Sequence, residues 1–264
     1  MHPEVFSWGF VHIRTYGLML ATAFLAGTWL ALREARRLKL DEDHVVSVIL
    51  VTLIASILGA RALFVVEHVD DFRNDWGSVL AVWQGGLTLY GGIAAGTFAG
   101  LWTARRLGLS MWTVADALTP SLALGTMFGR VGCFLNGCCY GRPTSLPWGV
   151  VYPPDTYPGL EFGNQPIHPS QLYFAAAGLA LFGVAWSIRK HLRTPGMLFW
   201  LFILLFGAVR IVLDVTRAYE ATAVIGWVGP TPVTESQTIS GAMVLFAILM
   251  MLRLRRRSIP ATAP

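Results

Sequence analysis

Seven arginines lie apart from the other basic residues of this 264-residue chain, and three of them are the first candidates for chemistry. Arg61, Arg130 and Arg210 sit within or at the end of long apolar segments, where a charge is costly unless it is paired or faces a polar cavity. A planar guanidinium binds phosphate or carboxylate through two parallel hydrogen bonds. We interpret the three arginines as an anion site, with pairing to carboxylates or helix carbonyls as the structural alternative. The other four are Arg14, Arg73, Arg142 and Arg217.

A polar stretch, FGRVGCFLNGCCYGRP, surrounds Arg130 with glycines, an asparagine and three cysteines. Glycine lets backbone N–H groups approach an anion closely. The spacing C-x4-C-C of Cys133, Cys138 and Cys139 is not a usual zinc pattern, so we predict no metal site. A disulfide from Cys133 to either neighbour and a nucleophilic thiol both stay open.

The composition predicts that these residues are positioned by membrane-spanning helices. The chain is 55% hydrophobic and 13% charged, with a mean hydropathy of +0.57, which is too apolar for a water-soluble domain. We predict an all-α integral membrane protein that forms one polytopic domain over residues 1–264. Seven segments approach the length that crosses a bilayer, namely 16–32, 45–66, 87–104, 111–128, 169–188, 196–213 and 237–252. The third is the weakest because four glycines dilute it.

The basic residues predict the orientation of these spans. Four clusters, which follow spans one, three, five and seven, hold most of the Lys and Arg. By the positive-inside rule they lie in the cytoplasm, which puts the N-terminus outside and the C-terminus inside. Topology thereby accounts for the net charge of +5, and we predict no nucleic-acid partner. The outer side then carries a proline-rich loop at 131–170 and an interfacial segment at 70–84, and Arg61, Arg130 and Arg210 reach one depth near it.

Several blocks of the chain resemble the bacterial prolipoprotein diacylglyceryl transferase family. They span nearly the whole sequence and occur in the family's order. The blocks are TYGLML at 15–20, GGLTLYGGIAAG at 85–96, GRVGCFLNGCCYGRPT at 129–144, LPWGVVYP at 146–153, HPSQLY at 168–173 and FGAVRIVLDVTR at 206–217.

The resemblance implies an activity, partners and a location. The diacylglyceryl group of phosphatidylglycerol passes to the lipobox cysteine thiol of a preprolipoprotein, giving a thioether and glycerol 1-phosphate. The implied partners are phosphatidylglycerol, preprolipoproteins and membrane lipids, no cofactor is needed, and the location is the bacterial cytoplasmic (inner) membrane.

The resemblance also assigns residues to the site. It implies catalytic roles for Arg130, Arg210 and Tyr16, the last of which matches an early tyrosine of the family, and both arginines are expected to bind substrate as well. Asn136 and Gly141 match its loop, and Asp214 stands where a glutamate is usual; we predict that these three also bind substrate. We add Arg61, from the arginine pattern, as a substrate-binding residue.

The chain departs from the family at several of these positions. Tyr90 stands where a histidine is commonly proposed to help deprotonate the thiol, and we predict that Tyr90 relays that proton. Cys133 and Cys138 replace an asparagine and a glutamate, and Phe174 follows HPSQLY where glutamate is common; Phe206 replaces a tyrosine. His168 is expected either to brace the loop or to bind substrate as a substitute base.

Two other functions stay open from the sequence. A divergent paralogue could bind phospholipid, or transfer another group, without lipoprotein transfer. A small anion or lipid transporter is the second, but it would carry polar residues to the cytoplasmic end of the bundle, where few occur.

Overall fold

The computed structural model describes residues 4–8, 11–73, 76–219, 224–228 and 231–258. Helices dominate this part of the chain: α1 Thr15–Arg37, α2 Glu42–Glu67, α3 Val69–Phe72, α4 Leu89–Arg106, α5 Met111–Asn136, α6 Tyr157–Phe162, α7 Ser170–Ile188, α8 Met197–Asp214 and α9 Glu235–Ser258. Two 3-10 turns, Trp76–Leu80 and Val82–Gln84, lie between α3 and α4. Strands β1 Glu4–Trp8 and β2 Val11–Arg14 pair antiparallel, and so do β3 Val224–Val228 and β4 Thr231–Thr234.

Six helices within the described ranges, α1, α2, α5, α7, α8 and α9, are long and apolar enough to cross a membrane. The prediction of a helical, multi-pass membrane protein is therefore confirmed. The glycine-rich third span does form an 18-residue helix, α4, but α4 is not among the six.

The structure corrects one boundary drawn from the sequence and adds two strand pairs. The outer loop was predicted to begin at residue 131, but α5 continues to Asn136 despite its glycines. Gly132 is tolerated because Tyr16 and Met19 of α1 pack against it, at 3.1 and 3.2 Å from where a Cβ would stand. The two strand pairs were not predicted, so the fold is not helical throughout.

The chain divides into two compact units. The small unit comprises residues 32–117 and contains α2, α3 and α4. Its main contact is the packing of α2 along α4. A Cβ at Gly100 would lie 2.6 Å from Thr52 Oγ1, so a stripe of small residues lets the two helices approach closely. The glycines that weakened the third predicted span are thus its packing face.

The large unit comprises residues 1–31 and 118–264, within which α8 packs along α9 and against α7. Ala123, Leu181 and Phe202 are buried together at its centre. Such apolar contacts fix the helices while their polar ends meet.

Short backbone pairings organise the connection between α5 and α7. The segment at 140–144 is bonded on one side to the residues after α8 and on the other side to residues 166–168. Arg142 N donates to Thr216 O at 3.0 Å, and His168 N donates to Arg142 O at 3.0 Å. The connection is therefore a bonded platform rather than an open loop.

Candidate active site

The polar ends of five helices meet at this platform. They are the start of α1, the end of α5, the start of α7, the end of α8 and the start of α9. The first four bring one or more side chains that the sequence singled out, and the start of α9 adds Ser236, which the sequence did not single out. All of them belong to the large unit.

Gly141 lies at the centre of the platform. Its N–H donates to His168 O at 3.1 Å, and a Cβ at this position would come within 2.5 Å of Ser170 Oγ. Any larger residue at this position would push apart the backbone segments at 140–144 and 166–168. The structure therefore gives the predicted glycine a packing role, and contact with substrate stays a prediction.

The HPSQLY block acts as a clamp on two neighbouring segments. Ser170 Oγ lies 3.0 Å from Thr216 O, which fixes the chain after α8. Gln171 is fully buried and donates from Nε2 to Cys138 O at 2.8 Å, while Tyr152 donates to its Oε1 at 3.3 Å. The sequence did not predict these structural roles of Ser170 and Gln171, although both residues lie in the HPSQLY block that supports the family resemblance.

Arg130, near the end of α5, lies with its guanidinium 4.6 Å from the ring centroid of buried Phe174. No carboxylate of the described residues forms an ion pair with it. The ring occupies one face of the guanidinium and leaves its N–H edges available to an anion. Phe174 carries no charge that could neutralise this arginine.

Arg210 is oriented by a network of hydroxyl groups around Asp214. Arg210 Nε donates to Ser236 Oγ at 2.8 Å, and Ser236 Oγ lies 3.3 Å from Asp214 Oδ1. Asp214 is 2% exposed, and its carboxylate also accepts from Thr234 Oγ1 at 2.6 Å and from the Tyr219 hydroxyl. Asp214 thus anchors Arg210 through serine, and its contact with substrate stays a prediction.

Arg217 joins the same cluster just after α8. Its guanidinium lies 4.8 Å from the Tyr219 ring, and Nη1 is 3.4 Å from the Tyr219 hydroxyl. Its Nε is buried without a hydrogen-bond partner in the described part of the chain. A buried donor without a partner is costly, which favours an anion as its missing partner. We did not place Arg217 in the site, although it was one of the unexplained arginines.

The three cysteines converge beside these cations. All three are free thiols, and their Sγ atoms lie within 4.8 Å of one another. Hydrogen bonds from Cys133 and Cys138, followed by the charges of Arg217 and Arg130, lower the pKa of the Cys139 thiol. Asn136, exposed at the end of α5, interacts through its side chain with Cys138.

Tyr16 and His168 flank the cluster. Tyr16 interacts electrostatically with Arg130 and all three thiols. His168 Nδ1 lies 3.3 Å from the Tyr173 hydroxyl, and burial, followed by the charge of Arg142, lowers the pKa of its imidazole. The lowered pKa favours the neutral imidazole of His168. The backbone carbonyl of His168 accepts from Gly141, and binding of substrate by His168 stays a prediction.

Arg61 and Tyr90 belong to the small unit. Arg61 is buried and donates to four backbone carbonyls: Val79 at 2.8 Å, Ser78 at 2.5 Å, Gly85 at 2.8 Å and Gly86 at 3.0 Å. Arg61 therefore matches the structural alternative, in which an arginine pairs with backbone carbonyls instead of an anion. Only one of its five N–H groups has no carbonyl partner among these four. Tyr90 is 58% exposed in the first turn of α4. A substrate contact for Arg61 and a proton relay by Tyr90 stay predictions.

Comparison with known proteins agrees with this geometry. The sequence profile of the family described as prolipoprotein diacylglyceryl transferase matches residues 3–253. A phosphatidylglycerol–prolipoprotein diacylglyceryl transferase of Geobacter sulfurreducens is 33% identical over 261 residues, which cover 97% of this chain and 96% of that protein. A protein of the same name from Mannheimia succiniciproducens is 33% identical over 262 residues, covering 97% and 94%, and one from a Nostoc species is 29% identical over 268 residues, covering 99% and 93%. Because the family profile matches nearly its whole length and relatives of that name are 33% identical over 97% of it, this chain belongs to the prolipoprotein diacylglyceryl transferase family.

Proposed function

We propose that the chain transfers the diacylglyceryl group of phosphatidylglycerol to the lipobox cysteine thiol of preprolipoproteins, forming a thioether and releasing glycerol 1-phosphate. The observation that carries the proposal is the meeting of Arg130, Arg210 and Arg217, with one buried Nε unpartnered among the described residues. Relatives named for this activity align along nearly the whole chain.

Arg130 and Arg217 bind the phosphate of the lipid headgroup. Stacking on Phe174 and on Tyr219 holds each guanidinium by its face, so that its edge can meet phosphate oxygens. Two forks of this kind recognise the tetrahedral phosphate better than two lysines would.

Arg210 stabilises the leaving group. Ser236 accepts a hydrogen bond from the Nε of Arg210. The two terminal nitrogens of Arg210 have no hydrogen-bond partner in the described ranges. As the C–O bond of the glycerol breaks, negative charge grows on the departing phosphate, and a preorganised cation stabilises that charge more than it stabilises the bound lipid.

The acceptor thiol must lose its proton before or during attack. The reference pKa of a cysteine is about 8.5, so nearby cations raise its thiolate fraction at neutral pH. Tyr90 is the phenol proposed to relay the proton, Tyr16 is proposed to take part in catalysis, and Asn136 and His168 are proposed to bind the substrates.

We place the protein in the bacterial cytoplasmic membrane with seven spans, the N-terminus outside and the C-terminus inside. α4 is the proposed seventh span, since 18 residues at about 1.5 Å rise reach roughly 27 Å. Clusters of arginine and lysine at the ends of α1 and α4, directly after α7 and within the end of α9 support this orientation. The proposed site then opens toward the outer leaflet, where phosphatidylglycerol and its neighbouring lipids reach it.

The second candidate function is that of a paralogue which binds phosphatidylglycerol without modifying lipoproteins. Phe174 and Tyr90 favour it, because they replace a glutamate and a histidine that are common in the family. Retention of both essential arginines favours transfer.

The test is turnover by the purified full chain in vesicles that contain phosphatidylglycerol and a lipobox peptide. Mass spectrometry should detect the diacylglyceryl thioether, and Arg130→Ala and Arg210→Ala should each lose about 10²–10³-fold in kcat. Arg73→Ala is the control, because Arg73 is exposed and paired with Asp70 at 2.9 Å. Lipid binding without thioether would establish the paralogue, and full activity of Arg130→Ala would remove the phosphate site.

A further inference from the structure

The three cysteine thiols are chemically reactive groups to which the proposed arginine site assigns no role. Cys133 belongs to the last turn of α5, while Cys138 and Cys139 follow it in the connection. Their Sγ atoms share one site, within 4.8 Å of one another. Sequence spacing did not predict this convergence, because it depends on the turn that follows the helix.

The backbone of that turn is built to bring the sulfur atoms together. Gly137 has φ +75° and Cys139 has φ +59°, so the chain reverses directly after α5. A left-handed conformation is uncommon for cysteine, and such residues cluster at functional sites. Here it turns the Cys139 side chain toward its two partners. Buried Gln171 then fixes the turn through the carbonyl of Cys138.

The spacing of the sulfur atoms fits a zinc ion. Zn–S bonds of about 2.3 Å in a tetrahedron hold sulfur atoms about 3.8 Å apart, so the trio needs to contract by about 1 Å at most. Thiolates are the ligands that zinc prefers among side chains. Arg217 and Arg130 lie close enough to offset the negative charge of three thiolates around one dication.

No fourth His, Cys, Asp or Glu of the described residues joins the trio. The imidazole of His168 lies 3.3 Å from the Tyr173 hydroxyl, and Glu161 accepts from the Tyr140 hydroxyl at 2.5 Å. Three protein ligands with an open position are the pattern of catalytic zinc sites, whereas structural sites carry four.

We propose that Cys133, Cys138 and Cys139 bind a zinc ion whose fourth position takes the incoming lipobox thiol as a thiolate. The inference rests on the proposed function. It supplies a means of deprotonating the acceptor thiol, a task that is commonly proposed for the family's histidine and that this chain lacks because Tyr90 stands in its place. A thiol bound to zinc is deprotonated outright, so no basic side chain is needed.

The reaction balances with this ligand in place. The thiol releases its proton to solvent when its sulfur binds zinc. The sulfur then supplies the electron pair of the new C–S bond to the glycerol carbon, and the C–O bond to phosphate breaks, with its electrons leaving on glycerol 1-phosphate. No group is oxidised or reduced, and the neutral thioether leaves because it is a weaker ligand than a thiolate.

The first measurement is the metal content of the full chain, purified without chelators and reconstituted with phosphatidylglycerol. We expect about one zinc ion per chain, with three sulfur neighbours at about 2.3 Å in its X-ray absorption spectrum. Cys133→Ser, Cys138→Ser and Cys139→Ser should each lose most of this metal. Gln171→Ala, which frees the Cys138 carbonyl, should weaken zinc binding about 10- to 100-fold.

The second measurement probes the fourth coordination position of the metal directly. It uses the wild-type chain, so it does not depend on whether a variant folds. The protein is stripped of metal and loaded with Co²⁺, and its thiolate-to-cobalt absorption is recorded while a lipobox peptide is added. The cysteine peptide should intensify that band, whereas the same peptide with serine in place of cysteine should leave it unchanged. A band that responds equally to both peptides would overturn the thiol-activating role.

The outcomes separate this inference from the proposed function. Zinc-dependent thioether formation supports both. An active protein that holds no zinc, holds copper instead, or contains a disulfide among the three cysteines overturns the metal site and leaves the transferase standing. A protein that binds zinc and the cysteine peptide but forms no thioether refutes the transferase while the site remains.

Discussion

Replacing Arg130 by lysine tests whether the shape of the guanidinium, rather than its charge, is what the site uses. Lysine keeps the positive charge over Phe174 but cannot form two parallel bonds to phosphate. Loss of one hydrogen bond to a charged group is worth about 1.5–3 kcal/mol. At about 1.4 kcal/mol for each factor of ten, Arg130→Lys should lower kcat by roughly 10- to 150-fold.

The assay is thioether formation at saturating lipobox peptide, with the phosphatidylglycerol content of the vesicles varied. Loss of a bond that strengthens in the transition state lowers kcat, whereas loss of a bond that binds ground state and transition state equally would raise only KM. The control is Arg73→Lys, since an exposed ion pair of this kind contributes at most about 1 kcal/mol and lies in the small unit. A kcat for Arg130→Lys within about threefold of wild type would refute the argument from bidentate geometry.

Three further predictions concern the framework. Gly141→Ala should lower the free energy of unfolding by about 1–3 kcal/mol, seen as a lower melting temperature, whereas Gly125→Ala, with nothing within 4 Å of its Cβ, should not. Gly100→Val should separate α2 from α4 by meeting Thr52 Oγ1, and rapid proteolysis within the small unit would report it; resistance equal to wild type would contradict the close packing. Arg61→Met should leave buried carbonyls unpaired at a cost of at least about 2 kcal/mol and speed hydrogen exchange before α4. A higher KM for phosphatidylglycerol with unchanged exchange would instead assign Arg61 to the substrate.

The sequence was sufficient to predict most of the helical framework. Apolar length identifies a membrane span because the bilayer leaves few alternatives to a helix. The predicted fourth span ended at 128, however, because Arg130 and its glycines are typical of a loop. The helix continues to Asn136 since Gly132 packs against α1, and no local pattern reports that contact.

The contents of the site were predicted less completely. Arg130 and Arg210 were identified by an unpaired charge in apolar sequence, but Arg61, which shows the same signal, donates to carbonyls 17 to 25 residues away. Such a partner cannot be read from a local pattern. Tyr219 and Ser236 gave no signal because hydroxyl groups are common at helix ends.

The grouping of the cysteines depends on backbone angles rather than residue types. C-x4-C-C predicts little by itself, since adjacent side chains ordinarily diverge. A positive φ at Cys139 reverses that expectation. Sequence rules that count spacing fail where one residue adopts an uncommon conformation.

The strand pair β3–β4 runs directly into α9 without an intervening residue. Its last residue, Thr234, bonds Asp214, and the second residue of α9, Ser236, bonds Arg210. The strand pair and the helix start therefore hold Arg210 and Asp214 through residues that nearly adjoin in the chain. Any displacement of this strand pair would therefore be transmitted to the guanidinium of Arg210, so the strand pair and the arginine are mechanically coupled.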